Sequence, residues 1–193
     1  MKKTILTILV FMLSSEAYAF EQVLIRHDDY VIDGANLNEL KQSIREKGFK
    51  SSGGLSYAAK TYYDIKWQPV FDESEKWCQL KALYTAVEIE YSLPVLSAYN
   101  ILSKDEKDTW RKYYKSLKEH EEGHGMLGID AAKAFKWQAM NLFGKETCAE
   151  LKDEIESLAQ STFEQYHNKN LAYDMHTKHG HEQGAVLVAN ILQ

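Results

Sequence analysis

The sequence is poor in cysteine and proline and has no excess of basic residues. It contains two cysteines and two prolines in 193 residues, and its formal net charge is −5 at pH 7. The acidic balance argues against nucleic acid as the main partner. Because neither prolines nor internal repeats divide the chain, we expect residues 20–193 to form a single domain.

Long apolar runs are also missing, apart from a short one at the N-terminus. Two lysines precede the apolar stretch from Thr4 to Leu13, and Ala17-Tyr18-Ala19 provides the small residues that a signal peptidase requires. The pattern predicts a signal peptide over residues 1–19, with cleavage after Ala19. Since the stretch is shorter than the ~20 residues that span a bilayer, we expect a secreted or periplasmic protein without stable membrane insertion.

The two cysteines, Cys78 and Cys148, are predicted to pair with each other. Export would place them in an oxidising compartment, where an even number of cysteines indicates a disulfide. A thiolate metal site is the alternative, but the sequence contains no C-x-x-C pair that would support one. We therefore expect a Cys78–Cys148 bridge.

The first half of the mature chain has the pattern of a β-rich region with one helix. Residues 23–32 predict an early strand, and Asn36 with Glu39 predicts the start of a helix that Gly48 ends. Alternating apolar residues over 57–67 and 77–91 predict two longer strands. The connection between them suits a hairpin, so we expect a small antiparallel sheet with one packed helix.

The second half is predicted to be helical. Ser103 with Glu106, and Thr147 with Glu150, form two capping-box patterns, and apolar residues recur at three- and four-residue steps after each. The change from strands to helices falls near Leu93-Pro94. The sequence therefore predicts an α+β fold in which the small sheet and its helix are followed by long helices.

The first of these long helices contains the pentad His120-Glu121-Glu122-Gly123-His124, which has the pattern H-E-x-x-H. Residues four apart lie on one face of a helix, so two imidazoles can bind one zinc ion at about 2.0–2.1 Å. The first glutamate of this pattern acts as a general base on water at the metal. We therefore predict that His120 and His124 are zinc ligands and that Glu121 is catalytic.

A catalytic zinc ion normally has three protein ligands, so a third must come from another part of the chain. His179 precedes Gly180, whose backbone freedom would let the chain turn toward a metal. Asp130 also follows the pentad, although an unbroken helix would direct it about 120° away from His124. The residues themselves leave several candidates open: His176, His179, His181 and Asp130.

Further features accompany the pentad. They are Trp77-Cys78, Leu93-Pro94, Trp110 and a closing Tyr-Asp-x-x-Thr-x-His-Gly element that begins at Tyr173. With these features, nearly the whole mature chain resembles the DUF922 family, whose members are described as predicted secreted zinc-dependent proteases. The resemblance implies a zincin-like metalloprotease domain over residues 20–193, with His179 as the third zinc ligand and Tyr173 and Asp174 as supporting groups.

Together these observations predict a zinc-dependent peptidase that hydrolyses amide bonds with metal-activated water. Its substrate would be a peptide or protein, with components of the cell envelope among the candidates. Tyr173 is a second predicted catalytic residue, because its hydroxyl could donate a hydrogen bond to the oxyanion of the transition state. The alternative is a non-catalytic zinc-binding envelope protein, in which a fourth protein ligand closes a structural metal site.

Overall fold

The computed structural model describes residues 22–50, 54, 56–97 and 101–187. The predicted signal peptide and its cleavage site lie outside these residues. In chain order, the elements are β1 (Gln22–His27), β2 (Tyr30–Ile32), α1 (Leu37–Lys47), β3 (Phe49–Lys50), β4 (Ser56–Tyr57), β5 (Lys60–Ser74), β6 (Trp77–Ser92), β7 (Pro94–Leu96), α2 (Lys104–Met140), α3 (Cys148–Thr177) and a final 3₁₀ turn (His181–Gln183).

A long hairpin forms the centre of the β-rich half. β5 and β6 pair in antiparallel register from Lys60 opposite Ser92 to Ser74 opposite Trp77, with a register shift after Val70. β1 adds in parallel to the other edge of β6, and two shorter pairs form elsewhere, β2 with β7 and β3 with β4. The α+β class and the hairpin are confirmed, but the sheet is mixed and not wholly antiparallel, because β1 joins it in parallel.

The strand predicted over residues 23–32 is divided between two sheets. β1 pairs with β6, β2 pairs with β7, and Asp28 and Asp29 lie between them. The Oδ1 atom of Asp29 accepts a hydrogen bond from the backbone N–H of Leu93 at 3.0 Å. A short acidic side chain that bonds to the backbone competes with the strand ladder, so the chain changes partner at this point.

Each helix in the described part of the chain begins where its capping residue predicts. Asn36 caps α1, and Ser103 and Thr147 form complete capping boxes at the starts of α2 and α3. These side chains accept hydrogen bonds from N–H groups that lack partners in a first helical turn. Within the same residues, no helix has both the length and the apolarity that a membrane span requires.

Helix α2 packs directly on the hairpin. Two of its glycines permit this approach, since a Cβ at Gly125 would clash with the hydroxyl of Tyr91 and a Cβ at Gly128 would clash with the ring of Tyr63. Apolar residues of both elements are buried together around these contacts: Ile65, Val87, Ile89, Leu117, Ala131 and Ala132. The close packing brings the pentad of α2 against the first residues of β5.

A second cluster of buried residues surrounds the disulfide between Cys78 and Cys148. Phe135 of α2 and Leu151 and Ile155 of α3 are fully or almost fully buried there. The bridge joins the hairpin to the first turn of α3. The predicted disulfide is confirmed, and these two thiols are therefore not free to bind a metal.

Removal of this bridge should destabilise the fold. In a variant that combines Cys78→Ala with Cys148→Ala, we expect the free energy of unfolding to fall by about 4 kcal/mol, because the bridge closes a loop with a sequence separation of 70. Urea unfolding followed by circular dichroism measures the change. A variant that unfolds at the same urea concentration as the wild-type protein would contradict the stabilising role of the bridge.

Candidate metal centre

The two histidines of the pentad face the same point in space. His120 and His124 lie one turn apart on α2, with their ring centroids 4.8 Å apart. Their side chains are 4% and 14% exposed. The structure therefore brings together the two imidazoles that the pentad predicts as ligands, in a position mostly removed from solvent.

Asp174, in the last turns of α3, provides a carboxylate at the same point. Its Oδ1 atom lies 3.2 Å from Nε2 of His120 and 3.1 Å from Nε2 of His124. The ligand atoms of these three side chains all lie within 4.8 Å of one another, so the group could hold a metal ion. Imidazole nitrogen and carboxylate oxygen are common ligands of zinc. Asp174, which the family resemblance implies only as a supporting group, here has the position of a ligand.

His179 reaches the edge of this group. Its Nδ1 atom lies 3.2 Å from the same Oδ1 of Asp174, but its side chain is 51% exposed. Left-handed backbone conformations at Lys178, His179 and Gly180 turn the chain back toward α2 after the end of α3. His179 therefore contacts Asp174 without belonging to the three-residue group, and its assignment as third ligand stays a prediction.

The other candidate ligands lie apart from the group. Nδ1 of His176 is 2.6 Å from the backbone carbonyl of Ala172, one turn earlier on the same helix. His181 and Asp130 have exposed side chains. Within the described residues, none of these three joins His120, His124 and Asp174.

Asn170 fixes the orientation of His124. Its Nδ2 atom donates to the backbone carbonyl of Tyr166 at 3.0 Å and to the hydroxyl of Tyr63 at 2.9 Å. Because a carbonyl can only accept, the amide atom that faces Tyr166 must be the nitrogen. The other amide atom, Oδ1, is then the one that lies 2.7 Å from Nδ1 of His124. Nδ1 must then donate, which leaves Nε2 as the nitrogen available to a metal.

Gln183 and Tyr173 hold His120 in the same way. Oε1 of Gln183 lies 2.9 Å from Nδ1 of His120, and Nε2 of Gln183 donates to the hydroxyl of Tyr173 at 3.0 Å. The ring of Tyr173 stacks on the imidazole at a centroid distance of 5.1 Å, with 13° between the planes. A Cβ at Gly123 would clash with this tyrosine, which explains the glycine of the pentad. Both imidazoles thus have the outer hydrogen-bond partner that metal-binding histidines use.

The charges of the group are consistent with a site that exchanges protons for a metal. Burial lowers the pKa of His124, but hydrogen bonds to Asp174 and Asn170 outweigh this effect and raise the pKa above its ordinary value. Burial raises the pKa of Asp174, and hydrogen bonds from His120 and His124 outweigh it and lower the pKa strongly. A metal at this point would replace the protons that the imidazoles share with the carboxylate.

Glu121 projects into the same cleft from the helix that carries both histidines. It is buried, and the hydroxyl of Thr61 donates to its Oε2 atom at 2.6 Å. Desolvation by burial raises the pKa of the Glu121 carboxyl above its ordinary value. The carboxyl of Glu121 lies beside two imidazoles, and its own pKa is raised. These are the properties of a general base.

These side chains line a cleft of about 900 Å³. Residues 56–63 of β4 and β5 form one wall, and residues of α3 that include His167 and Leu171 form another. Tyr173 is not among the residues that line it, and its hydroxyl donates toward the backbone carbonyl of His120 at 3.4 Å. The predicted oxyanion role of Tyr173 stays a prediction, while its contacts are those of a residue that positions His120.

Sequence reasoning missed Asn170 and Gln183. Amide side chains are common at surfaces, so neither residue has a signal of its own in the sequence. Asn170 does precede Asp174 by four positions, and this spacing places both on one face of α3. An assignment of Asp174 as a ligand would therefore have pointed to Asn170.

Loss of Asn170 should weaken metal binding without unfolding the protein. We expect Asn170→Ala to reduce zinc affinity about 10- to 100-fold, because His124 loses the acceptor that fixes its ring. Competition with a chromophoric chelator measures the affinity, and Asn168→Ala, two positions away on the exposed face of α3, is the matched control. Equal affinities for the two variants would show that Asn170 does not orient a metal ligand.

A protein-family model matches the part of the chain that contains the candidate metal centre. The model of a family described as "Bacterial protein of unknown function (DUF922)" matches residues 27–180. Comparisons with curated proteins and with solved structures give no match. The matched region includes the pentad, Asp174 and His179. Because it covers most of the 193 residues, the chain belongs to the DUF922 family.

Proposed function

We propose that this protein is a secreted or periplasmic zinc-dependent peptidase that acts on peptides or proteins, with those of the cell envelope as candidate substrates. The observation that carries the proposal is the convergence of His120, His124 and Asp174 in a cleft that also contains the buried carboxyl of Glu121. The predicted signal peptide and the disulfide support export, since disulfides persist in oxidising compartments.

We assign His120, His124 and Asp174 as the three protein ligands, with His179 as the alternative third ligand. Two imidazoles and one carboxylate form a donor set that occurs at catalytic zinc sites. Zinc in such a site polarises a scissile carbonyl and makes water a nucleophile near neutral pH. Asn170, Gln183 and Tyr173 would keep the two rings oriented while substrate enters and product leaves.

Glu121 would carry the proton through the reaction. Its carboxylate takes a proton from the attacking water as the new C–O bond forms at the amide carbon, and gives that proton to the amine nitrogen as the C–N bond breaks. The products are a carboxylic acid and an amine, and a proton passes from the acid to the amine or to water as they ionise. The hydrogen bond from Thr61 at 2.6 Å holds the carboxyl in place, and the raised pKa of Glu121 favours proton uptake.

The shape of the cleft supports a peptide as the substrate. In the described part of the chain, β5 has a strand partner on one side only, and its first residues line the cleft. Extended peptides commonly bind to an exposed strand edge through main-chain hydrogen bonds. Such binding would place an amide group of the peptide beside the metal centre.

A non-catalytic zinc protein is the second candidate. The proximity of Nδ1 of His179 to Asp174, at 3.2 Å, favours it because His179 is close enough to become a fourth protein ligand after a small movement. Four protein ligands would close the site to water and make the metal structural. In that case zinc would fasten the segment after α3 to helix α2.

The third ligand can be identified by comparing two variants. If Asp174 binds the metal, Asp174→Ala should weaken zinc binding by more than the ~100-fold that loss of a supporting residue causes. His179→Ala should change the affinity much less. Isothermal titration of metal-free protein with zinc measures both, and the reverse order of affinities would assign the position to His179.

Catalysis can be separated from metal binding at Glu121. We expect Glu121→Gln to keep one zinc per chain and to lose cleavage of a fluorogenic peptide library by about 10²- to 10⁴-fold, because the amide cannot accept the proton. Glu122→Gln is the matched control, since Glu122 forms an ion pair with Lys118 at 2.6 Å on the helix surface. If zinc-loaded wild-type protein cleaves no peptide, the structural alternative is favoured; if Glu121→Gln cleaves at the wild-type rate, Glu121 is not the general base.

A further inference from the structure

The charged residues that line the cleft are separated by sign. Among the residues of the cleft that the structure describes, the carboxylates are Glu121 and Asp174, which lie at the metal centre. The lysines, Lys50 and Lys60, lie on the wall formed by the β-strands. In a chain with a formal net charge of −5, the part of the cleft away from the metal centre is therefore positively charged.

Lys60 has a defined position on this wall. Its Nζ atom lies 5.3 Å from the ring centroid of Phe49, which also lines the cleft. Phe49 in turn packs edge-on against Tyr30 at 5.8 Å, so the ring is itself held by the fold. A cation over an aromatic face is attracted to the ring, which keeps the ammonium group at the cleft. Lys50 follows Phe49 directly on β3.

Neither of these lysines has a carboxylate partner within 4 Å in the part of the chain that the structure describes. Lys66 lies on the same strand and the same face as Lys60 but outside the cleft. Unlike Lys60, it has carboxylate partners. Its Nζ atom lies 2.7 Å from Glu88 and 3.9 Å from Asp64. Lys66, away from the cleft, is thus neutralised, whereas Lys60 on the same strand and Lys50 on β3 remain able to bind an anion.

We infer that the cleft selects peptides that carry a carboxylate next to the scissile amide, with Lys50 and Lys60 as the groups that bind it. The inference rests on the proposed peptidase function and adds its substrate class. Aspartate or glutamate side chains and the free C-terminus of a chain present the same carboxylate. The imidazole of His167, which lines the cleft as well, is a further donor to such a group.

The test uses zinc-loaded full-length mature protein and a synthetic peptide library whose members have either free or amidated C-termini. Mass spectrometry identifies each cleaved bond. We expect cleavage to concentrate at bonds with aspartate or glutamate within two positions, or at the last bonds of peptides with free C-termini. The first result identifies side chains as the source of the carboxylate, and the second identifies the chain terminus.

Variants at the two lysines test whether these residues cause the preference for peptides that carry a carboxylate. We expect Lys50→Gln and Lys60→Gln each to lower kcat/KM for the preferred peptide by about two- to fivefold, through KM and not kcat, with no change for its uncharged analogue. The preference should also weaken as salt is added, because exposed charges are screened. Lys81→Gln is the matched control, since Lys81 is exposed on β6 roughly 35 Å from the cleft end of the hairpin.

Two negative results would have different meanings. Cleavage of charged and uncharged peptides at equal rates, or a preference that both lysine variants retain, would overturn this inference and leave the peptidase intact. The absence of cleavage anywhere in the library, from protein that has bound zinc, would contradict the proposed function, and the inference would fail with it.

Discussion

The convergence of imidazole nitrogens on one oxygen atom of Asp174 is the interaction on which the site depends. Oδ1 of this residue lies between 3.1 and 3.2 Å from nitrogens of His120, His124 and His179. A carboxylate among three imidazoles is stable when protons or a metal ion lie between them. This contact also joins helix α2 to the end of α3 and to the turn that follows it.

The rest of the fold holds the two helices so that this contact can form. Gly125 and Gly128 let α2 lie against tyrosines of the sheet, and Tyr63 then bonds to Asn170, which orients His124. At the other end, the disulfide fixes the first turn of α3, which is roughly 39 Å from Asp174 along a straight helix. A rigid helix anchored at its start can place a side chain near its end with little freedom.

Local sequence patterns predicted the parts of the structure that depend on local chemistry. The caps at Ser103 and Thr147, the hairpin and the pairing of the cysteines follow from short-range rules and from the compartment, and the structure confirms them. The parallel pairing of β1 with β6 depends on contacts between distant parts of the chain, which periodicity does not reveal. The division of the early strand at Asp28 and Asp29 depends on a hydrogen bond from the backbone of Leu93 to Asp29, and Leu93 is equally distant in the sequence.

In the candidate metal centre, too, sequence patterns predict only the contacts between residues that are close in the sequence. The spacing of the pentad places His120 and His124 on one face of a helix, and the structure brings them together. Asp174, expected only as a supporting group, lies beside both imidazoles in a group that could hold a metal ion. The position of Asp174 beside His120 and His124 depends on the path of α3 past α2, which no spacing in the sequence encodes. Asn170 and Gln183 act through the same long-range packing.

The most direct measurement is a crystal structure of the mature protein with zinc, with the metal located from its anomalous scattering. The account predicts one ion bound by Nε2 of His120, Nε2 of His124 and a carboxylate oxygen of Asp174, at about 2.0–2.2 Å, with a position open to the cleft. An ion bound elsewhere, or imidazole rings of His120 and His124 that point away from it, would contradict the account.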